Sequence, residues 1–347
     1  MNSDFKLPES FGFQWHITDR CAGRCLHCYQ HGFGSEGELS CDELKQFADL
    51  IMNSLPVPVS INLTGGEPLL YPRFFELASH IGTFDNLEEL NIITSGTVLD
   101  KAVMDHFAAL PKLTSIKISL ESHIPEVNDS IRGRGHFRNV LDNIALLLDA
   151  GYPVVLMVTL GAYNHDSVEG LCTLAGKIGV SGVIFERYVP LGRGVSLKDN
   201  VLSSRQWAGV VGGICNAAEV DVGIEDLLPY KAFWVDMNDG EEGKPLSLRG
   251  ALCNLGSSSM ALMPDGTVYP CRRLPLGVGK IPDDSVFQIL GELQKFSPSV
   301  LKSEMNGSGC FSCGHEECAG CRALALALGG ELLGEDIQCP IDNVSER

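Results

Sequence analysis

Apolar positions along the first half of the chain fall into two alternating periods. FQWHIT (13–18), VSINLTGG (59–66), LEELNIIT (87–94), LTSIKISL (113–120), YPVVLMVTL (152–160) and GVIFERYVP (182–190) are short, β-branched and aromatic-rich runs that read as six strands. Between them lie stretches of helical period, such as CDELKQFADLIMNSL (41–55) and FRNVLDNIALLLDAG (137–151). Leu44, Phe47, Ala48, Ile51 and Leu55 space as one helical face, and Ser40 with Glu43 three residues on forms a capping box at its start. Regular β–α alternation implies parallel strands with right-handed crossovers. Six units suit an open partial barrel, α/β in class and smaller than a closed eight-stranded one. Barrel chemistry belongs at the C-terminal ends of the strands.

The pattern changes near Leu191. From 196 to 250 helical pieces mix with charge and Gly-rich joints such as MNDGEEGKP (237–245), read as a last helix and a bridge. From 251 onward periodicity falls and cysteines multiply, as where metal clusters replace a conventional core. The division expected is an N-terminal tail (1–10), a barrel (11–195), the helix and bridge (196–250) and a small cysteine-rich domain (251–347). No internal repeat or low-complexity tract is visible.

The 347 residues suffice for one large domain and a smaller one, and 44% hydrophobic residues describe an ordinary globular protein. MNSDFKLPES lacks the basic and apolar regions of a secretion signal, and no apolar run approaches membrane-spanning length. A cytoplasmic protein is expected, where cysteines read as metal ligands before disulfides. A net charge of −18 argues against a nucleic-acid partner, because that affinity draws largely on Lys and Arg.

Ten of the 13 cysteines cluster. Cys21, Cys25 and Cys28 stand in CAGRCLHCY, directly after the first strand, so one loop can wrap three corners of a cluster. Three thiolates are one short of the four that fill a [4Fe–4S] cluster, which leaves one iron open to a small molecule. The plainer alternative is a set of structural thiols, or a zinc knuckle with a distant fourth ligand. LTGGEP (63–68) closes the second strand; Gly65 and Gly66 let the backbone approach a ligand closely, and Glu67 and nearby carbonyls can meet an ammonium group. Seven further cysteines follow: Cys253 and Cys271, then Cys310, Cys313, Cys318 and Cys321 in CFSCGHEECAGC, then Cys339.

CAGRCLHCY followed one βα unit later by TGGEP resembles the radical S-adenosylmethionine (SAM) superfamily. The resemblance implies that Cys21, Cys25 and Cys28 hold a [4Fe–4S] cluster whose open iron chelates SAM. Reductive cleavage of SAM then gives a 5′-deoxyadenosyl radical that abstracts hydrogen from a substrate. It also implies that the backbone at Gly65, Gly66 and Glu67 receives the methionine amino group and that His27 lies beside adenine. TSG (94–96) stands where the family often has a turn near the ribose, which makes Ser95 a candidate. Ser119 at the end of KISL and Arg132 in IRGRGHF are candidates for the ribose hydroxyls and the SAM carboxylate; a surface salt bridge is the plain alternative for Arg132. VPLGRG (189–194) resembles the final strand of this branch.

The C-terminal cysteines resemble the SPASM domain, an extension of radical SAM enzymes that carries two auxiliary iron–sulfur clusters. Carried over, Cys253, Cys271 and Cys321 would bind the first and Cys310, Cys313, Cys318 and Cys339 the second, a complete set suited to electron relay. The first set has three thiolates, so its fourth site is either an open iron for a substrate thiol or is filled by Cys215, an Asp or a small thiol. One departure stands out: the family usually has five and then three residues around the third cysteine of the later block, where this chain has four (314–317) and two (319–320). Cys41 and Cys172 read as buried small hydrophobes; Cys172 or Cys215 could alternatively return a hydrogen atom, as a cysteine does in some epimerases of the family. Glu186 and Arg187 alternate at the mouth of the barrel, and either could touch substrate.

The resemblance implies a peptide or protein maturase, drawing electrons from a donor such as flavodoxin or ferredoxin. With twenty residues before Cys21, the expectation is that no N-terminal leader-binding domain fits and that a separate partner protein reads any leader. The alternatives are a small-molecule substrate such as a haem precursor and, in another class, a non-catalytic iron–sulfur electron carrier.

Overall fold

The computed structural model describes residues 7–227, 229–237, 246–251, 253–305 and 309–339. Six parallel strands form its centre in the order of the sequence: β1 (Phe11–His16), β2 (Val59–Thr64), β3 (Leu87–Thr94), β4 (Leu113–Ser119), β5 (Val154–Leu160) and β6 (Gly182–Arg187). Each of the six was expected from the apolar alternation, with ends shifted by a few residues.

Helices cover the outer face: α1 (Cys41–Ser54), α2 (Phe74–Ile81), α3 (Lys101–Phe107), α4 (Pro125–Arg132), α5 (His136–Asp149), α6 (Val168–Ile178) and α7 (Ser204–Ala218). The capping box of α1 is present, with the Glu43 amide donating to Ser40 Oγ at 3.3 Å and the Ser40 amide donating to the Glu43 carboxylate at 2.8 Å. Leu44, Phe47, Ala48 and Ile51 are buried against outward residues of the sheet such as Phe13, Trp15 and Ile61. Inward positions are polar instead. Lys117 Nζ donates to Asn62 at 2.7 Å and Ser115 to Asn91 at 2.6 Å, where a closed TIM barrel would stack branched apolar side chains.

The sheet continues past the barrel at both edges. β7 (Ala232–Asp236) and β8 (Ser247–Ala251) add antiparallel strands to β6, in a region read from sequence as a bridge. Phe233 and Val235 are buried in the main core while Ala232 and Trp234 are only partly covered, a period of two that the short run AFWVD was too brief to announce. The rest of the expected joint, 238–245, lies outside the described residues. At the other edge β9 (Ser259–Leu262) pairs parallel with β1, and β10 (Thr267–Tyr269) and β11 (Gly279–Lys280) follow antiparallel. Gly266 turns the β9–β10 hairpin at φ +85°, and a Cβ there would stand 2.2 Å from the Ile281 carbonyl oxygen. The cysteine-rich part keeps a small apolar core of its own, with Val189, Leu255, Leu274, Leu301, Met305 and Leu324 buried and Cys253, Cys271, Cys310 and Cys321 packed around them. Among the described residues no helix is long and apolar enough to cross a membrane.

Candidate active site

The loop after β1 is fixed from three sides. The amides of Gly66 and Glu67 donate to Thr18 O at 2.8 Å and Arg20 O at 2.7 Å; the Leu26 amide donates to Ile131 O of α4 at 2.9 Å; the Gly194 amide, beyond β6, donates to Cys28 O at 2.9 Å. The two glycines permit the first contact. A Cβ on Gly65 would stand 2.3 Å from Thr18 O, and one on Gly66 the same distance from Arg20 O. Their close approach is therefore made to the cysteine loop itself, in addition to lining the cavity that the loop faces.

Cys21, Cys25 and Cys28 all line that cavity, whose volume is about 380 Å3. The Cys21 and Cys25 sulfurs flank Gly23, at 3.5 and 3.6 Å from where its Cβ would be. Among the described residues no three His, Cys, Asp or Glu side chains converge tightly enough to hold a single metal ion. Three thiols around one space could serve as ligands of a polynuclear cluster. Burial pushes the Cys21 thiol up to about 11 and raises Cys28 as well. Thiolates so placed need a cation in the same space, which is what a cluster supplies.

Beside the loop sits a residue that sequence reasoning missed. Glu121, two positions beyond the end of β4, is fully buried, and its carboxylate accepts from His27 Nε2 at 3.1 Å, Arg132 Nε at 2.8 Å and the Thr159 amide at 2.8 Å. Burial alone would raise this carboxyl, but Arg132 and His27 more than offset it and pull it down to about 2. Arg132 in turn reaches Cys25 Sγ at 3.7 Å. An acid two residues beyond Ser119 in SLES was the available signal; its partners are distant in the chain.

Of the residues singled out for the cofactor, His27, Gly65, Gly66, Ser95, Ser119 and Arg132 line the cavity together with the three cysteines. Arg132 is mostly buried and paired, so the surface salt bridge does not describe it. The Glu67 side chain departs from expectation. Its carboxylate turns away from the cavity and accepts from Thr94 Oγ1 at 2.7 Å and from the Ser95 amide and hydroxyl at 2.9 and 2.6 Å. These three donors sit at the end of the adjacent strand and satisfy a carboxylate that would otherwise be buried unpaired, so it ties β2 to β3 and leaves an ammonium group only backbone to meet.

Glu186 and Arg187 face opposite ways. Glu186 points inward and pairs with Arg272 and Arg273, which follow Cys271 in sequence. Arg187 lies over the Trp207 ring of α7 at 4.5 Å and bonds Asp336 at 2.9 Å, joining barrel to C-terminal domain. Arg272 and Arg273 were missed from sequence, although a basic pair next to a candidate ligand in so acidic a chain was a signal.

The C-terminal cysteines divide in space. Cys310, Cys313, Cys318 and Cys339 surround one small cavity of about 30 Å3. Burial pushes the Cys253 thiol up to about 12, with Cys271 and Cys321 close enough to raise it further. Asp336 stands between the groups, lining the small cavity and accepting from the Cys321 amide at 2.8 Å. Cys41, Cys172 and Cys215 lie on α1, α6 and α7, packed into or against the main core and away from every cavity described above.

A loop of three thiols thus lies at the C-terminal ends of a parallel partial barrel, facing a cavity that residues of a cysteine-rich C-terminal part help to line. Residues 15–175 match the model of the radical SAM superfamily. It is similar to the AdoMet-dependent heme synthase of Methanosarcina barkeri (27% identical, covering 94% of this chain and 95% of that one). It is also similar to the mycofactocin maturase MftC of Mycobacterium tuberculosis (29% identical, 94% and 81%). Among solved structures, anSMEcpe with bound AdoMet and the Cp18Cys peptide superposes with a TM-score of 0.69 at 16% identity, covering 97% of this chain and 95% of that one. The likeness in fold thus extends through the C-terminal domain, and the architecture is a radical SAM-like partial barrel followed by a cysteine-rich C-terminal region.

Proposed function

We propose that this enzyme oxidatively modifies a peptide or protein, by crosslink, thioether formation or a similar maturation, using SAM at the Cys21–Cys25–Cys28 site. The observation that carries the reading is the meeting of those three thiols, the Gly65–Gly66 backbone and the SPASM-type domain around one cavity. A cluster and SAM bound there would supply, on reduction, a 5′-deoxyadenosyl radical able to abstract hydrogen. The chain's own contribution is positional. Glu121 holds Arg132 against Cys25 and orients His27; Glu67 fixes the Ser95 turn; Ser119 contributes a polar edge to the opposite wall.

Cys253, Cys271 and Cys321 are proposed ligands of one auxiliary cluster, and Cys310, Cys313, Cys318 and Cys339 of a second. The spatial grouping of the cysteines supports this partition despite the shortened spacing in the later block. Cys215, packed against the barrel core on α7, is not a suitable fourth ligand for the first set. Asp336, at the Cys321 amide, is better placed. An electron donor such as flavodoxin or ferredoxin and, for a leader-guided peptide, a separate leader-binding protein are the proposed partners, with no nucleic acid among them.

A small-molecule substrate is the second reading, favoured by the nearly full-length similarity to a heme synthase. Incubating reconstituted protein with SAM and dithionite, alone and with peptides encoded by neighbouring genes, tests the proposal. Formation of 5′-deoxyadenosine and a mass change on the peptide are expected; no 5′-deoxyadenosine in any mixture would refute the SAM chemistry. Cys21→Ala/Cys25→Ala/Cys28→Ala should lose one cluster and keep two, and loss of all iron would refute the C-terminal assignment.

A further inference from the structure

Charge in the central cavity runs against the chain as a whole. The protein carries −18, yet the described residues lining the cavity include Arg132, Arg134, Arg187, Arg272 and Arg273, with Glu186 as the one acid. Arg132 and Arg187 are each matched by a buried carboxylate, Glu121 and Asp336. Arg272 and Arg273 share Glu186, with Arg273 at 3.5 Å, so two guanidiniums meet a single carboxylate. Behind them Lys117 adds a further cation, bonded to the neutral Asn62, with the exposed Glu89 as the other acid acting on it. Two guanidiniums on this wall therefore share one carboxylate, with the Cys271 and Cys321 sulfurs as further neighbours of Arg273.

The wall is also rigid. Arg272 bonds Gln14 at 3.1 Å and lies over Tyr29 at 5.7 Å, and Arg273 donates to the Arg187 carbonyl. Their side chains are only 10% and 19% exposed. A competing account is that both arginines neutralise thiolates of the C-terminal domain. That account suits Arg273, whose charged neighbours include Cys271 and Cys321. It does not suit Arg272, which acts on Glu186, Lys117, His16 and Tyr29, all on the barrel's inner side. A planar guanidinium held in place within a nearly dry wall matches a carboxylate in geometry and charge.

We propose that Arg272, supported by Arg273, binds a carboxylate of the substrate in the cavity that also holds the Cys21–Cys25–Cys28 site. The site of modification then lies on or next to an acidic residue or a C-terminal carboxylate. This rests on the assignment of that cavity to SAM and substrate.

The test is calorimetric titration of the reconstituted, SAM-saturated protein with three acetylated hexapeptides of glycine and alanine. One has a central Glu and a C-terminal amide, one a central Gln and an amide, and one a central Gln and a free C-terminal acid. One or both carboxylate peptides should bind at least about tenfold more tightly than the neutral one, and which of them does separates a side-chain from a terminal carboxylate. Arg272→Gln should reduce the preference to within about twofold while iron content reports on folding. If that variant loses iron, Glu186→Gln decides, because removing the competing carboxylate should tighten the acidic peptide several-fold. Equal binding of all three peptides, no binding up to about 5 mM, a preference that survives Arg272→Gln, weaker binding by Glu186→Gln, or an effect of Arg272→Gln on SAM retention alone would each overturn the proposal. SAM cleavage without carboxylate preference would sink this inference and leave the radical SAM chemistry standing.

Discussion

Replacing Glu121 by Gln probes the link between the barrel and the cysteine loop. Every group that reaches this carboxylate is a donor: the Thr159 amide, Arg132 and, with its proton on Nε2, His27. A Gln side chain loses the charge and also turns an NH2 toward a donor. The carboxyl is lowered from 4.5 to about 2 in the folded protein, which corresponds to roughly 3 kcal/mol of stability at neutral pH. Removing one member of a buried pair costs about 3–5 kcal/mol, so the two routes agree. The sign of the pH dependence follows. Because the folded value is depressed, the stabilisation is fully present above about 4.5 and is lost as the pH falls through that value toward 2. Anaerobic urea unfolding followed by the fluorescence of the buried Trp15 and Trp207 provides the measurement. Arg132→Gln should cost a similar amount, and the double variant should cost little more than either single one, a coupling of about 2–3 kcal/mol. Single costs that add to within about 0.5 kcal/mol, or a Glu121→Gln cost below about 1 kcal/mol, would refute the network.

Gly66→Ala would place a methyl 2.3 Å from Arg20 O and 2.7 Å from Asp19 O, backbone that leads directly into Cys21. Loss of the N-terminal cluster's iron is expected with about 1–3 kcal/mol of destabilisation, and wild-type iron content would contradict the clamp. Cys172→Ala and Cys215→Ala should leave 5′-deoxyadenosine formation and substrate turnover intact, since both thiols pack with the outer helices; a variant that still cleaves SAM but fails to turn over substrate would restore the hydrogen-donor alternative. Ser40→Ala should cost about 1 kcal/mol in urea unfolding by removing the cap of α1.

What the sequence announced was whatever repeats or lies close in the chain. Six strands of period two, the α1 face and its capping box are local signals, and the structure reproduces them because burial and capping act over a few residues. The three-cysteine loop and TGGEP were legible for the same reason. β7 and β8 were not: five residues each give too little period to separate a strand from a bridge, and β6, which β7 joins, is far away in the chain. Pairing of β9 with β1 joins residues about 250 apart, and nothing local in SMAL states it.

Side-chain direction was the other loss, and it matters most at the site. Glu67 and Glu186 are each an acid at the end of a barrel strand. The first turns back because Thr94 and Ser95 offer three donors at the next strand's end, while the second stays in the cavity because two arginines arrive from the C-terminal domain. Neither outcome follows from the residue's own position; each follows from where donors converge. The same logic separates Arg187 from Arg272. One bonds Asp336 and lies over Trp207 in joining two parts of the fold, whereas the other lines the cavity held by Glu186 and Gln14. A strand end therefore marks where chemistry can occur, and the count of donors against acceptors around it decides which side chain remains available for a substrate.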